Sequence, residues 1–298
     1  MADITTGTPT GTGNPSNGAP IGINPTIWTG SLMHNYYEKS VVPLITKKAP
    51  VIHGDKLIYS LASPVNINKG TTSDDETDVI YQSVKPTTLS IEMDKTYDWA
   101  IKCSNIELFQ TNLDLLNGEM QEAADGLDEA ISQDVYADIF ASAGQKMGAI
   151  EVSGLNAYDT LVNMGTMLNK KKVPKRGRYA VIDNDYLGML TMDPRFQYDP
   201  TVLENGIVEG RKIGGFTILV TDDIPTLKGG AKGVFAIQRD GYGYGTQFDN
   251  VEFFEKLEQS RGQAVRGQVL AGYGVLRPNN IVSAQVTYNT EIQPNVVD

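Results

Sequence analysis

The sequence predicts an α+β chain, and three observations carry that reading. Residues 57–101 alternate apolar and polar in two long stretches, the period of β-strands. Residues 113–140 hold one apolar stripe at helical spacing: Leu113, Leu116, Met120, Ala124, Leu127, Ile131, Val135 and Ile139. Residues 156–195 read as helix, basic loop, strand, helix, and most of the chain beyond them is β-rich.

Taken in order, residues 1–20 contain fifteen Gly, Pro, Ser, Thr or Asn, too little apolar surface to offset the entropy of ordering. Trp28 to Ile45 reads as a helix with Leu32, Tyr36, Tyr37 and Val41 on one side and Pro43 at its end. Leu57, Tyr59, Leu61, Val65 and Ile67, then Leu89, Ile91, Met93, Tyr97, Trp99 and Ile101, predict a long two-stranded hairpin. Its tip carries Ser73, Asp74, Asp75, Glu76, Thr77 and Asp78. A lone hairpin is marginal in water, so this one is expected to leave its subunit and lie on a neighbour.

The helix of residues 113–140 should run on the order of 40 Å. It carries eight acidic residues, Asp114, Glu119, Glu122, Asp125, Asp128, Glu129, Asp134 and Asp138, and no Lys or Arg. Gly126 in its middle costs roughly 1 kcal/mol relative to Ala, so packing is expected to fix it. Next, Ala157, Leu161, Met164 and Leu168 mark a helix ending in Lys170, Lys171 and Lys172, and Pro174 stops it. Arg178 to Ile182 is a short buried strand, and Asp183 caps a helix with Tyr186, Leu187 and Leu190. Phe216, Ile218 and Val220, then residues 231–238, then residues 263–288 supply further strands.

Composition bounds function. A chain of 298 residues, 40% apolar, can bury a large core as one domain or two. It lacks a run of about 18 apolar residues that could span a membrane. Its start does not show the basic-then-apolar pattern of a secretory signal. The single cysteine, Cys103, cannot form an intrachain disulfide, which fits synthesis in a reducing cytoplasm. A net charge of −11 argues against binding nucleic acid by phosphate neutralisation, but not against a container wall that must not stick to DNA.

Chemistry-bearing patterns are sparse. His34 and His53 are the only histidines, and neither sits in a triad or metal-site pattern, so each reads as structural. Cys103 reads as a small buried apolar residue. The 73–78 carboxylates do not match an EF-hand and read as a solvated tip. Gly229 to Gly233 lacks the Gly-Lys-Ser/Thr ending of a phosphate loop. Gly241 to Gly245 lacks the strand-to-helix setting of a dinucleotide fingerprint and reads as a bend. We therefore expect no enzyme activity, no cofactor and no metal.

The Asn156 to Arg195 unit, with Val173-Pro174 and Arg178, resembles part of the major capsid proteins of tailed bacteriophages, which share the Hong Kong 97-type fold. The Gly210 to Val220 stretch with Ile224-Pro225, and Ala271 to Val275 with Pro278, are similar to that family's later strands. The resemblance implies an arm and helix at 1–48 and an extended E-loop hairpin at 49–105. It further implies a peripheral domain with a spine helix at 106–152, an axial domain at 153–240 and closing peripheral strands at 241–298. It implies self-assembly through pentamers and hexamers into an icosahedral shell around packaged double-stranded DNA. Implied partners are a separate scaffolding protein, a portal and, optionally, decoration proteins, with synthesis in the bacterial host cytoplasm and residence in the virion. Alternatives are an encapsulin-like compartment shell, a β-rich phage tail or adhesin component, and a carboxylate hydrolase.

Within the assembly reading, opposite charges nominate contacts between subunits. The acids are Glu122, Asp125 and Glu129. The bases are Lys56, Lys69, Lys85 and Lys95 of the hairpin, and Lys170, Lys171, Lys172, Lys175, Arg176 and Arg178 of the loop. A neighbour's hairpin is expected to cross the acidic helix, steered by these charges.

Overall fold

A computed structural model of the protein describes residues 32, 34, 36, 40–49, 51–61, 87–103, 113–193, 212–248, 252–254 and 263–288. The expectations for residues 1–20, for the hairpin tip and for Gly210 lie outside these residues.

Leu32, His34 and Tyr36 are helical, and α1 (Val42–Ile45) follows as a separate short helix. Pro43, expected from sequence to end a helix, instead sits in the first turn of α1. Proline lacks an N–H, and the first turn leaves that group unpaired in any residue.

Next come β1 (Lys47–Lys48), β2 (Val51–His53), β3 (Lys56–Leu61), β4 (Thr87–Glu92) and β5 (Lys95–Cys103). The long helix α2 (Leu113–Ala141) is followed by β6 (Gln145–Val152), α3 (Ala157–Lys170), β7 (Arg178–Ile182) and α4 (Asn184–Thr191). The chain closes with β8 (Thr217–Val220), β9 (Lys232–Gln238), β10 (Tyr242–Phe248), β11 (Glu252–Phe254), β12 (Gln263–Val275) and β13 (Ile281–Tyr288).

These strands form three sheets. In the first, β12 pairs antiparallel with β5 on one side and with β10 and β11 on the other, and β1 joins β10 in parallel. The second runs β6-β13-β9-β7-β8, with parallel pairs at both ends. The third is β2-β3-β4. Although β12 and β13 are consecutive, they belong to different sheets, so the chain's end ties the first sheet to the second.

Helix α2 touches β5 and β12 of the first sheet and β9 and β13 of the second. Its stripe of Leu127, Ile131, Val135 and Ile139 is buried, and Tyr136 packs on Phe235 with ring centroids 5.6 Å apart. Each such side chain contributes about 1.5–3 kcal/mol by leaving water.

The hairpin differs from its expectation in two ways. Its return limb is not one strand: the chain breaks at Met93-Asp94, β4 pairs with β3, and β5 pairs with β12 in another sheet. Its base also does not leave the subunit. Leu57 and Tyr59 are buried on the subunit's own β10, and Met93 is buried by Gly272 of β12. Glycines make this possible. A Cβ on Gly243 would lie 2.7 Å from the Tyr59 ring, and one on Gly245 would lie 2.8 Å from Leu57. Tyr59 then donates to the Lys47 carbonyl at 2.9 Å, and burial pushes its phenol up to about 12. The Gly241 to Gly245 run, expected as a bend, is therefore strand from Tyr242 onward.

Gly126 also departs from expectation. It is exposed, and a Cβ there meets nothing within 4 Å, so packing within the subunit does not fix it.

Two substitutions check this arrangement. Gly243→Ala should destabilise the subunit by about 1–3 kcal/mol through overpacking against Tyr59, read by thermal or chemical unfolding. An unchanged stability would mean the hairpin base lies elsewhere. Gly126→Ala should instead stabilise the subunit by about 0.5–1 kcal/mol.

Candidate functional site

The candidate site of this molecule is its charged surface, and the fold decides which charges reach it. The acids of α2 divide into two groups. Asp134 accepts from the Tyr97 hydroxyl at 2.7 Å, and Asp138 accepts from the Tyr242 hydroxyl at 2.5 Å. Burial, then the adjoining carboxylate, pushes both phenols upward. Asp128 is half-buried beside Ser132, whose hydroxyl lies 3.4 Å away. Burial pushes its carboxyl above the ordinary range, Asp223 and Asp125 add to the rise, and the Ser40 and Ser132 hydroxyls oppose it. These three acids serve the subunit itself.

Glu122 and Glu129 form the outer group. Both are exposed, and exposed Gly126 lies between them at four- and three-residue steps, so the three share one helix face. Gln133 donates to Glu129 at 3.1 Å. Asp125 is half-buried beside that face. The side chains of Asp114 and Glu119 lie outside the described residues. The like-charge problem posed by eight acids is thus partly solved within the subunit, because tyrosine and serine hydroxyls bond the inward carboxylates.

The basic loop is built by its helix end. Lys172 has φ +56°, its N–H bonds the Asn169 carbonyl at 2.9 Å, and the Val173 N–H bonds the Leu168 carbonyl at 3.1 Å. This is the reversal that normally uses glycine, and Val173 and Leu168 are both buried beside it. Lys170, Lys171, Lys172, Lys175 and Arg176 are exposed. Among the described residues, none of them is within salt-bridge distance of a carboxylate.

Arg178 corrects the sequence reading. It is 3% exposed, and its guanidinium donates to the carbonyls of Pro174 at 2.9 Å and Val173 at 2.7 Å. It does not offer charge to a neighbour; it staples the loop from beneath and turns the other five cations outward.

Of the hairpin lysines, Lys56 pairs with Glu92 at 3.1 Å and Lys95 with Asp94 at 3.6 Å, both at the base that lies on the subunit's own sheet. Lys69 and Lys85 lie outside the described residues.

The structure adds neighbours to the loop that sequence spacing could not supply. The Arg239 N–H bonds the Gly177 carbonyl at 2.9 Å, and its guanidinium donates to the Thr46 carbonyl at 3.1 Å. Lys47 lies 3.6 Å from Asp240, and the Arg277 N–H bonds the Gly241 carbonyl at 3.0 Å. Among the described residues, Lys47, Arg239 and Arg277 therefore border the loop around a single acid, Asp240.

The remaining motifs keep structural places. Asp183 caps α4 by accepting from the Tyr186 N–H at 3.3 Å and also accepts from the Tyr288 hydroxyl. Gly229 and Gly230 have φ +82° and +78° in a tight turn that leads into β9, not a helix, so no helix N-terminus stands there to hold a phosphate.

Known proteins share both the sequence pattern and the fold. The family described as Phage capsid protein matches residues 100–284. A cyanophage P-SCSP1u capsid structure is 13% identical, covers 84% of this chain and 89% of its own, and superposes with a TM-score of 0.61. A Ralstonia phage GP4 capsid structure is 12% identical, with 84% and 89% coverage and a TM-score of 0.60. A virus-like particle from Pyrococcus furiosus is 12% identical, with 87% and 98% coverage and a TM-score of 0.57. These likenesses establish the fold. No curated protein matches the sequence.

Arg178→Ala should cost about 1–3 kcal/mol by leaving two loop carbonyls without their donor, whereas Lys171→Ala or Lys175→Ala should change stability by no more than about 0.5 kcal/mol. Equal effects in unfolding experiments would refute the staple. Asp128 tests the burial argument by its sign. A carboxyl with a raised folded pKa contributes stability that is present below its unfolded pKa, about 4, and is lost as pH rises through the folded value. Asp128→Asn should therefore raise the melting temperature at pH 7, and the gain should shrink below about pH 4.

Proposed function

The chain belongs to the phage capsid protein family, and from that premise we propose that its copies meet as pentamers and hexamers around packaged double-stranded DNA. It is a major capsid protein with the Hong Kong 97-type fold, a structural protein of the virion whose copies assemble into an icosahedral shell. The Pyrococcus furiosus particle has the same fold, so fold alone does not separate a phage capsid from a cage of that kind; the family match over residues 100–284 does.

Residues 153–240 supply most of the axial domain, whose sheet also takes in β6 and β13; the rest of residues 106–152 and 241–298 is the peripheral domain, residues 49–105 the E-loop hairpin and 1–48 the arm. A separate scaffolding protein, a portal and, optionally, decoration proteins are its partners, and it is made in the host cytoplasm. Its contacts are structural, and no catalytic step is assigned to it. The observation that carries the contact reading is the outer face of α2. Glu122 and Glu129 are exposed there on either side of Gly126, where a Cβ would meet open space. A bare glycine in a helix lowers stability without serving this subunit, and it admits the close approach of another backbone. Lys69 and Lys85 of a neighbouring copy, in the segment between β3 and β4, supply the complementary charge. Each rim pair is worth about 0–1 kcal/mol, but many repeat under closed symmetry.

Negative-stain electron microscopy of the purified protein, alone and with scaffolding protein from the same phage, should show closed polyhedral particles. Only monomers or open fibres in both preparations would overturn the reading. Glu122→Gln with Glu129→Gln should lower particle yield while leaving subunit melting within about 0.5 kcal/mol of wild type.

A further inference from the structure

We infer that the face formed by Lys47, Lys175, Arg176, Arg239 and Arg277 binds the phosphodiester backbone of double-stranded nucleic acid, without regard to base sequence. The inference rests on the assembly reading above and gives the enclosed DNA a place of contact on the subunit.

Both short connections between the first and second sheets meet at this face. One is Arg239–Gly241, between β9 and β10; the other holds Arg277 and Pro278–Asn280, between β12 and β13. A buried pair of amides joins them. The Asn280 amide donates to Gln238 Oε1 at 2.8 Å, and the same oxygen accepts from the Asp240 N–H at 3.1 Å. Gln238 Nε2 reaches the Arg176 carbonyl at 3.5 Å. Gln238 and Asn280 are 3% and 7% exposed. Arg239 adds the Gly177 carbonyl at 2.9 Å and the Thr46 carbonyl, next to Lys47, at 3.1 Å. The cations are therefore mounted on a fixed base before any ligand arrives, which lowers the ordering cost of binding.

The face is positive although the chain is not. Lys175, Arg176, Arg239 and Arg277 are exposed, and Lys170, Lys171 and Lys172 extend the cluster along the end of α3. Asp240 is the only carboxylate in these segments. The Gln238 hydrogen bond, then Lys47 and Arg277, hold its carboxyl below the ordinary range. At physiological salt the Debye length is about 8 Å, so carboxylates elsewhere on a chain of net charge −11 are largely screened from a ligand here. A phosphate backbone fits this face better than a folded acidic protein does. Protein interfaces are built around an apolar core and are poor in lysine. Among the described residues the exposed large apolar side chains are Leu155 and Met192, and neither belongs to these segments. Phosphates need only charge and N–H donors on mobile stems, which lysine and arginine supply. One such contact is weak, and its repetition on every copy of the shell gives the DNA many of them.

The direct test titrates the full-length protein, kept unassembled, into a short labelled DNA duplex and reads fluorescence anisotropy. Two duplexes of unrelated sequence should bind alike, with log K falling linearly in log salt. The variant Lys175→Gln, Arg176→Gln, Arg277→Gln should weaken binding about tenfold or more at about 0.1 M salt and reduce the salt slope by about 2–3, since each lost phosphate contact removes about 0.9. The charge-keeping variant Lys175→Arg, Arg176→Lys, Arg277→Lys should retain both. Lys102→Gln with Lys146→Gln, at exposed lysines outside this face, should change neither. The inference is overturned by a wild-type protein that does not bind the duplex, or by clear preference for one of the two sequences. It is equally overturned if the Gln variant keeps the wild-type slope with an unchanged melting curve, or if the charge-keeping variant loses as much binding as the Gln variant.

Two competitors identify the ligand. Tripolyphosphate and a poly-glutamate peptide should each displace the duplex only at about tenfold or higher charge concentration, because the duplex presents many phosphates in one array. Displacement by tripolyphosphate at equal phosphate concentration would make a free polyphosphate the ligand. Tighter binding of the peptide than of the duplex would make it an acidic protein, and either result overturns the assignment to a nucleic-acid backbone. Binding is read on unassembled subunits, so the two readings fail separately. A protein that binds the duplex at this face but never forms shells refutes the capsid reading alone; one that forms shells but does not bind the duplex refutes this inference alone.

Discussion

Helix α2 has to bury one stripe against two sheets at once, and the subunit is organised by that demand. Leu127, Ile131, Val135 and Ile139 are fully or nearly fully buried, and the sheets they touch are also joined by the chain passing from β9 to β10 and from β12 to β13. A stripe of this length cannot be satisfied by either sheet alone. The two sheets therefore form one core rather than two separable domains, and a single helix sets their relative position.

The same helix is acidic, and that creates the second problem the fold solves. Carboxylates near a buried face are expensive unless bonded. Asp134 and Asp138 point toward the first sheet and meet Tyr97 and Tyr242, whose hydroxyls donate to them. Tyrosine suits this role, since its ring packs like a hydrophobe while its hydroxyl satisfies the acid at the boundary. Further tyrosine contacts obey the same logic: Tyr36 and Tyr244 hydroxyls meet at 2.5 Å, and the Tyr36 ring packs edge-on to Phe248. The smaller outer set, Glu122 and Glu129, stays exposed on the helix face that bears Gly126.

A capsid subunit must display charge without aggregating prematurely, and this chain separates its signs in space. The carboxylates of α2 and the cations around the 170–177 loop occupy different elements. Arg178 makes the arrangement durable. By bonding the carbonyls beneath the loop it fixes a reversal that places a lysine, not a glycine, at positive φ.

Local periodicity determined much of this protein. The apolar stripe at three- and four-residue steps defined α2 almost to its ends, Pro174 marked the stop after α3, and Asp183 announced the cap of α4. The order of these segments also carried the capsid resemblance. Tertiary structure decided the rest, and each case has the same cause. Gly243 and Gly245 look like a bend until Tyr59 and Leu57, nearly two hundred residues earlier, fill the space their missing side chains leave. Gly267 likewise gives room to the Trp99 indole, 2.6 Å from where its Cβ would lie, and so helps seat β5 on β12 rather than on β4. Arg178 looks like one more surface cation until its carbonyl partners draw it inward. Periodicity reports which side of an element is apolar, a property of neighbours in sequence; which surface that side meets depends on shape and hydrogen-bond complementarity between residues that only folding brings together.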